Sequence, residues 1–268
     1  MHLLKRTLAI GTLLIAAACA GRMTADEFDR QFGLGQVVKS DGIAREDEFD
    51  TYEARRIAAR RSVDAMGMDQ MYEAMVHEAA KDLPESQRPR FFLLVQRVLP
   101  KSELEELMMR LSVKYLTRRQ LEAQATFNQS HEGRSITVKA LRTTGPAVPS
   151  EGPADSSEDR RVAAQRYLSE ADIRGLYGAT IRASVRHLPA TQDVESHLWE
   201  ASQKFSGFEN ELLRRMERYY TRREIDMLRR FHTSREGKAV MTQFPFMMGE
   251  LLSYFADRLR REAGTVRQ

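Results

Sequence analysis

YLTRRQLEAQATFNQSHEGR, residues 115–134, and YYTRREIDMLRRFHTSREGK, residues 219–238, match at an offset of 104 positions. In each, a Thr stands three residues before a Gln or Glu: Thr117 before Gln120, Thr221 before Glu224. That is the spacing of a capping box, in which the hydroxyl accepts from one orphan N–H of a helix start and the longer side chain reaches back to another. The helix so opened places Leu121 and Phe127 on one face in the first stretch, and Ile225, Leu228 and Phe231 in the second. Ser130 and Ser234 fit the N-cap of a following helix, with Glu132 and Glu236 in its first turn opposite the positive end of the helix dipole. Gly133 and Gly237 fall inside that turn, where glycine costs helix stability, so close approach of a neighbouring helix is the expected reason for them. The pattern predicts a helix ending at Tyr115 or Tyr219, a corner, a short helix and a second corner.

The match extends outward. RRIAARR (55–61) aligns with RRVAAQR (160–166), and MYEAMVHEAAKDLP (71–84) with LYGATIRASVRHLP (176–189), both at an offset of 105. Ser102 and Glu105 align with Ser206 and Glu209 and have the spacing of two more capping boxes. Behind them, Leu104, Leu107, Met108, Leu111 and Tyr115 share one helical face, as do Phe208, Leu212, Met216 and Tyr219. With 15 Gly, 8 Pro and no alternating β-branched run, the predicted fold class is all-α. It is read as two tandem, internally duplicated units of five to six helices each, residues 51–142 and 157–268, the second with a longer final helix. The Pro/Gly/Ser-rich stretch 143–156 reads as the linker.

The N-terminus carries an address. Lys5 and Arg6 precede an apolar or small-residue run from Leu8 to Ala18, too short to cross a bilayer, so 1–18 is predicted to be a cleaved signal peptide. Cys19 is the only cysteine, and a disulfide needs two. Small residues ending in Cys resemble the lipobox of bacterial lipoproteins, which makes Cys19 the candidate acylation (palmitate) site. Ala16 departs from the usual Leu of that motif, and Ala18-Cys19-Ala20 also fits an ordinary A-x-A cleavage site. Ala20 after the Cys, rather than Asp, resembles outer-membrane sorting. Residues 19–50, acidic and punctuated by Gly33, Gly35 and Gly42, are read as the lipidated N-terminus and a tether. Loss of Lys5 and Arg6 with the leader lowers the formal charge from +4 to +2. The 34 Arg and 8 Lys are interspersed with acids, unlike a nucleic-acid footprint, and an exported chain would rarely meet DNA.

The signature of Tyr, then Thr-x-x-Glu/Gln-Leu/Ile, then Phe, then Ser-x-x-Gly-Lys/Arg resembles the bacterial envelope family called domain of unknown function 2059. In this chain it comprises Tyr115, Thr117, Phe127, Ser130 and Gly133, and again Tyr219, Thr221, Phe231, Ser234 and Gly237. The second copy is the closer match, adding Glu224, Ile225, Lys238 and Pro245, whereas the first has Ala140 and Leu141 where the second has Phe244 and Pro245. The resemblance implies an export signal and an all-helical domain, and brings no established activity.

Catalytic signals are weak. Residues 77, 131, 187, 197 and 232 are scattered histidines with no i, i+4 pair, and the closest two, His187 and His197, flank a Leu-Pro corner, so no metal or cofactor is expected. No Gly-x-Ser-x-Gly elbow or phosphate loop occurs. Glu132 and Glu236 are more economically helix-start charges than acids of a cleft. The aromatic concentrations, Phe91 with Phe92 and Trp199 with Phe205, read as core. No catalytic residue is therefore assigned. The expected function is a non-catalytic, lipid-anchored interaction or structural module on the periplasmic side of the envelope, most consistent with the outer membrane. Its expected partners are the membrane and another envelope protein, and not nucleic acid. The paired arginines Arg118, Arg119, Arg222 and Arg223 are the candidate surface for acidic partner groups or lipid head groups. The alternative is an envelope hydrolase acting on cell-wall or lipid material with acids at the junction of the two units.

Overall fold

A computed structural model of the chain describes residues 22–34, 44, 49–80, 83–142, 155–185 and 193–265. Cys19, His187 and all of the linker but Asp155 and Ser156 lie outside them. Among the described residues the fold is all-α, with no strand. Helix α1 is Ala25–Gln31. The first unit contains α2 (Tyr52–Ala65), α3 (Met68–Ala80), α4 (Arg88–Val98), α5 (Lys101–Tyr115), α6 (Arg118–Gln129) and α7 (His131–Arg142). The second contains α8 (Ser157–Glu170), α9 (Ile173–Val185), α10 (Val194–Tyr219), α11 (Arg222–Thr233) and α12 (Arg235–Thr265).

The two units differ in helix number because of one residue. Pro100 has no N–H to donate and stands as the N-cap of α5, so α4 and α5 are separate, with Leu99 leaving helical geometry at φ −141°. The matched positions Gln203 and Lys204 lie inside the uninterrupted α10. This corrects the capping expected at Ser102 and Ser206. Ser102 is already inside α5, which Pro100 caps without a side-chain bond, and Ser206 lies mid-helix with no end to cap.

The units are interleaved rather than set side by side. Ala58 and Ala59 of α2, Leu107 and Leu111 of α5 and Leu121 of α6 form one core with Val240 and Met247 of α12, from the other unit. Reciprocally, Ile136 of α7 joins Ala164 and Tyr167 of α8, Met216 of α10 and Ile225 of α11. Phe127 and Phe231, matched positions of the signature, stack with ring centroids 4.6 Å apart and planes at 20°.

A second correction concerns the tether. Thr24 and Glu27 form a capping box that opens α1, and its residues Phe28, with Phe32 and Leu34 beyond its end, are buried against Val185, Leu198, Ala201 and Phe205 of α9 and α10. Gly178 makes room for this: a Cβ there would lie 2.5 Å from Phe32 Cβ. Residues 22–34 are thus part of the folded body. The apolar rings spaced four apart supply the reason, each contributing roughly 1.5–3 kcal/mol on burial.

Candidate functional site

Each corner of the signature is built the same way. Thr117 Oγ1 accepts from Gln120 N (3.4 Å) and Gln120 Oε1 from Thr117 N (2.9 Å). Thr221 Oγ1 accepts from Glu224 N (3.2 Å), and Glu224 Oε2 from Thr221 N (2.6 Å). At the second corner Gly133 N donates to Ser130 Oγ (2.9 Å), which donates to Phe127 O (2.6 Å). Gly237, Ser234 and Phe231 repeat this at 3.0 and 2.7 Å. A Cβ on either glycine would lie 1.8 Å from the carbonyl oxygen of Phe127 or Phe231. The close approach is thus to the last turn of the preceding helix.

The corner also uses residues that the motif did not point to. Asp50 Oδ1 accepts from Arg55 Nε (2.9 Å) and from Arg118 N (2.8 Å), joining the start of α2 to the start of α6. In the second unit Asp155 Oδ2 accepts from Arg222 N (2.8 Å), while buried Arg160 donates from Nε to Glu217 O (2.6 Å) and bonds Asp155 O. The signal was present: DTYEAR at 50–55 and DSSEDR at 155–160 share Asp, a hydroxyl residue and Arg at equal spacing.

The two tyrosines diverge. Tyr115 OH donates to Glu250 Oε1 of α12 (2.6 Å), beside the Lys114–Glu250 ion pair. Burial, and then the neighbouring carboxylate, push its pKa up. Tyr219 instead packs at the edge of the second core, with the Arg218 guanidinium 5.4 Å from its ring centroid.

Glu224 is the most buried acid among the described residues, and it binds the units together. Lys139 Nζ of α7 donates to both its oxygens (2.8 and 2.7 Å), and Ser135 Oγ donates to Oε1. Burial opposes its ionisation, but Lys139, Ser135 and the Thr221 N–H outweigh this and hold the carboxyl below its ordinary value. On the other side of the interface Glu103 of α5 accepts from Arg258 of α12 (2.7 and 2.6 Å) and from Tyr254. A shallow groove of about 420 Å³ carries Glu250 and Asp257, seven residues apart on α12, with Lys114 on its wall. In the second core, His232 Nδ1 lies 2.8 Å from Tyr167 OH, and desolvation pushes the imidazole down to about 4, so it is neutral at pH 7.

The paired arginines are at the starts of α6 and α11, and no hydrogen bond or ion pair joins one pair to the other. Arg118 Nε faces Glu122 (3.5 Å) and Arg222 Nε faces Asp226 (3.9 Å). Arg119 and Arg223 are exposed. Arg118 and Arg119 line a cavity of about 330 Å³ together with Arg235 and Glu236 at the start of α12. Among the described residues no three His, Cys, Asp or Glu side chains gather as a metal ion would need, and no helix is long and apolar enough to cross a membrane.

No protein-family model matches the chain, and neither a curated protein nor a solved structure does. The likeness to the envelope family named above therefore rests on the signature residues alone.

Proposed function

We propose that the chain is a lipid-anchored bacterial envelope protein, similar to the domain of unknown function 2059 family, whose paired helical units act as an interaction or structural module without catalysis. The observation that carries this reading is the attachment of the N-terminal segment to the helical body. Arg22 pairs with Asp193 (3.4 Å), Met23 N donates to Glu195 O (3.3 Å), and α1 follows at once, its Phe28 buried. Three residues from Cys19 to Arg22 reach at most about 10 Å. Acyl chains on Cys19 would therefore hold the body close to the bilayer, with the start of α10 on the membrane side, and would leave the rest of the surface for an envelope partner.

The acids at the junction of the units favour this reading over the hydrolase. Glu224 is held by Lys139, Glu103 by Arg258 and Glu250 by Lys114, so their charges serve helix–helix contacts. Exposed Arg119 and Arg223 are the cations best placed for acidic partner groups.

Metabolic labelling with a fatty-acid analogue tests the anchor. The native chain should take up label and fractionate with membranes, and Cys19→Ala should do neither; unchanged behaviour of Cys19→Ala would overturn the anchor. Crosslinking in intact cells tests the module. Charge reversal at Arg118, Arg119, Arg222 and Arg223 should deplete the captured partner, and equal capture by the folded variant would remove this surface from the proposal.

A further inference from the structure

The two units differ in chemistry where the signature meets the last helix of the opposite unit. At the α11 corner, Glu224 faces Ser135 and Lys139 of α7, and the carboxylate and ammonium neutralise each other. At the α6 corner the matched positions are Gln120, Ala239 and Gln243. The acid is an amide, the hydroxyl a methyl, and the internal cation is gone. His131 of the first unit is matched there by Arg235.

The outcome is the cavity of about 330 Å³ between α6 and α12. Three arginines line it, Arg118, Arg119 and Arg235. Asp50, also on the wall, is already paired with Arg55 at 2.9 Å, and Arg118 is shared with Glu122 at 3.5 Å. Arg119 and Arg235 are exposed and have no ion-pair partner among the described residues. Glu236 is the one lining carboxylate not in an ion pair. The α6 start adds little, because the Arg118 N–H is taken by Asp50 and the Gln120 N–H by Thr117.

We infer that this cavity binds the phosphate group of a small phosphorylated organic molecule or head group. A carboxylate is satisfied by one bidentate guanidinium, whereas a phosphate offers more oxygens and more charge, and suits several. The volume stands at the lower end of small-molecule sites, larger than a bare phosphate needs. The Phe49 ring and the Ala239 methyl supply an apolar wall for an attached organic part. This deepens the interaction reading and rests on it only in placing the working surface at Arg118 and Arg119. It assigns no such role to Arg222 and Arg223, whose corner carries its own ion pair.

The test uses the purified full chain, titrated calorimetrically with glycerol phosphate and with inorganic phosphate. Co-sedimentation with phosphatidylglycerol vesicles, against phosphatidylcholine vesicles, forms the second arm. Arg119→Glu combined with Arg235→Glu should weaken binding about tenfold or more, the scale of one lost charge-assisted hydrogen bond. The control, Arg60→Glu with Arg61→Glu, two exposed arginines of α2 outside the cavity lining, should bind as the native chain does. Gln120→Glu with Gln243→Lys, which rebuilds the ion pair of the other corner without changing net charge, should also weaken binding. Binding of glycerol phosphate identifies a soluble ester as the ligand, and binding confined to phosphatidylglycerol vesicles identifies a head group. Failure of all probes to bind, or equal loss in the Arg60/Arg61 control, overturns the inference. Absence of fatty-acid label on the native chain would overturn the anchor and leave this titration unaffected.

Discussion

Gly133 and Gly237 are the smallest residues of the signature and the least replaceable. Their Cα atoms face the Phe127 and Phe231 carbonyls so closely that a methyl group would lie 1.8 Å from oxygen. Neither backbone has positive φ, so the requirement is space and not conformation. Gly237→Ala should therefore destabilise the protein by about 1–3 kcal/mol, the usual cost of overpacking, and Gly133→Ala by a similar amount. Urea unfolding of the two variants checks this. Native stability in either would mean that the corner opens without cost and that the glycine serves another purpose. Ser130 and Ser234 need no such clearance, because each hydroxyl both caps the next helix and donates to the preceding carbonyl.

At the scale of the element, α1 is the helix whose placement the chain order least suggests. It precedes the first unit in sequence yet docks on the second, where Phe28 stacks on Phe32 at 4.4 Å and Phe32 meets Phe205 edge-on at 5.6 Å. Arg182 pairs with Asp29 at 2.7 Å beside them. Phe28 is fully buried, so Phe28→Ala should cost about 3–5 kcal/mol if α1 unfolds only with the whole protein. If α1 can detach by itself, the loss will appear as local opening instead. Hydrogen exchange separates these outcomes: amides of 28–32 should exchange faster in the variant, and unchanged exchange would show that the docking does not depend on this ring. Helix α4 teaches a related lesson in the other unit, since one proline is sufficient to divide what is a single helix in α10.

Over the whole molecule, the last helix of each unit completes the core of the other, and the polar ties follow the same exchange. Lys139 to Glu224 runs from first unit to second, and Glu250 and Arg258 run back to Lys114 and Glu103. Lys139→Ala would leave the Glu224 carboxylate, with 5% side-chain exposure, without its cation. Breaking a buried pair in this way should cost about 3 kcal/mol at pH 7. The pH dependence has a definite sign. The Glu224 carboxyl is held below its ordinary 4.5 in the native protein, so its stabilisation is present above that value and lost as pH falls below it. The difference between native and Lys139→Ala chains should therefore be larger at pH 7 than near pH 4, read by denaturant unfolding at each pH. An equal difference at both would show that the pair contributes packing and not charge. Because the pair spans both units, the native chain should unfold in one transition.

Much of this was written in local order. The capping boxes at Thr117 and Thr221, the apolar faces of α5 and α11 and the corner serines all follow from spacings of three and four residues, which a helix converts directly into contacts. The sequence by itself also determined the all-α class, since no segment alternates as a half-buried strand must. What it did not determine lies between residues far apart. Ser102 and Ser206 had the right spacing for caps, but only the continuity of α10 and the position of Pro100 decide where a helix begins. The acidic stretch from Asp26 reads as tether because its rings find their partners some 150 to 180 positions later. The pairing of Lys139 with Glu224, and its replacement by a basic cavity at the matched corner, depend on which helix of one unit reaches the other. Sequence spacing carries only the geometry of a single helix, whereas burial and charge pairing across units belong to the assembled core, and so the tertiary structure alone decided them.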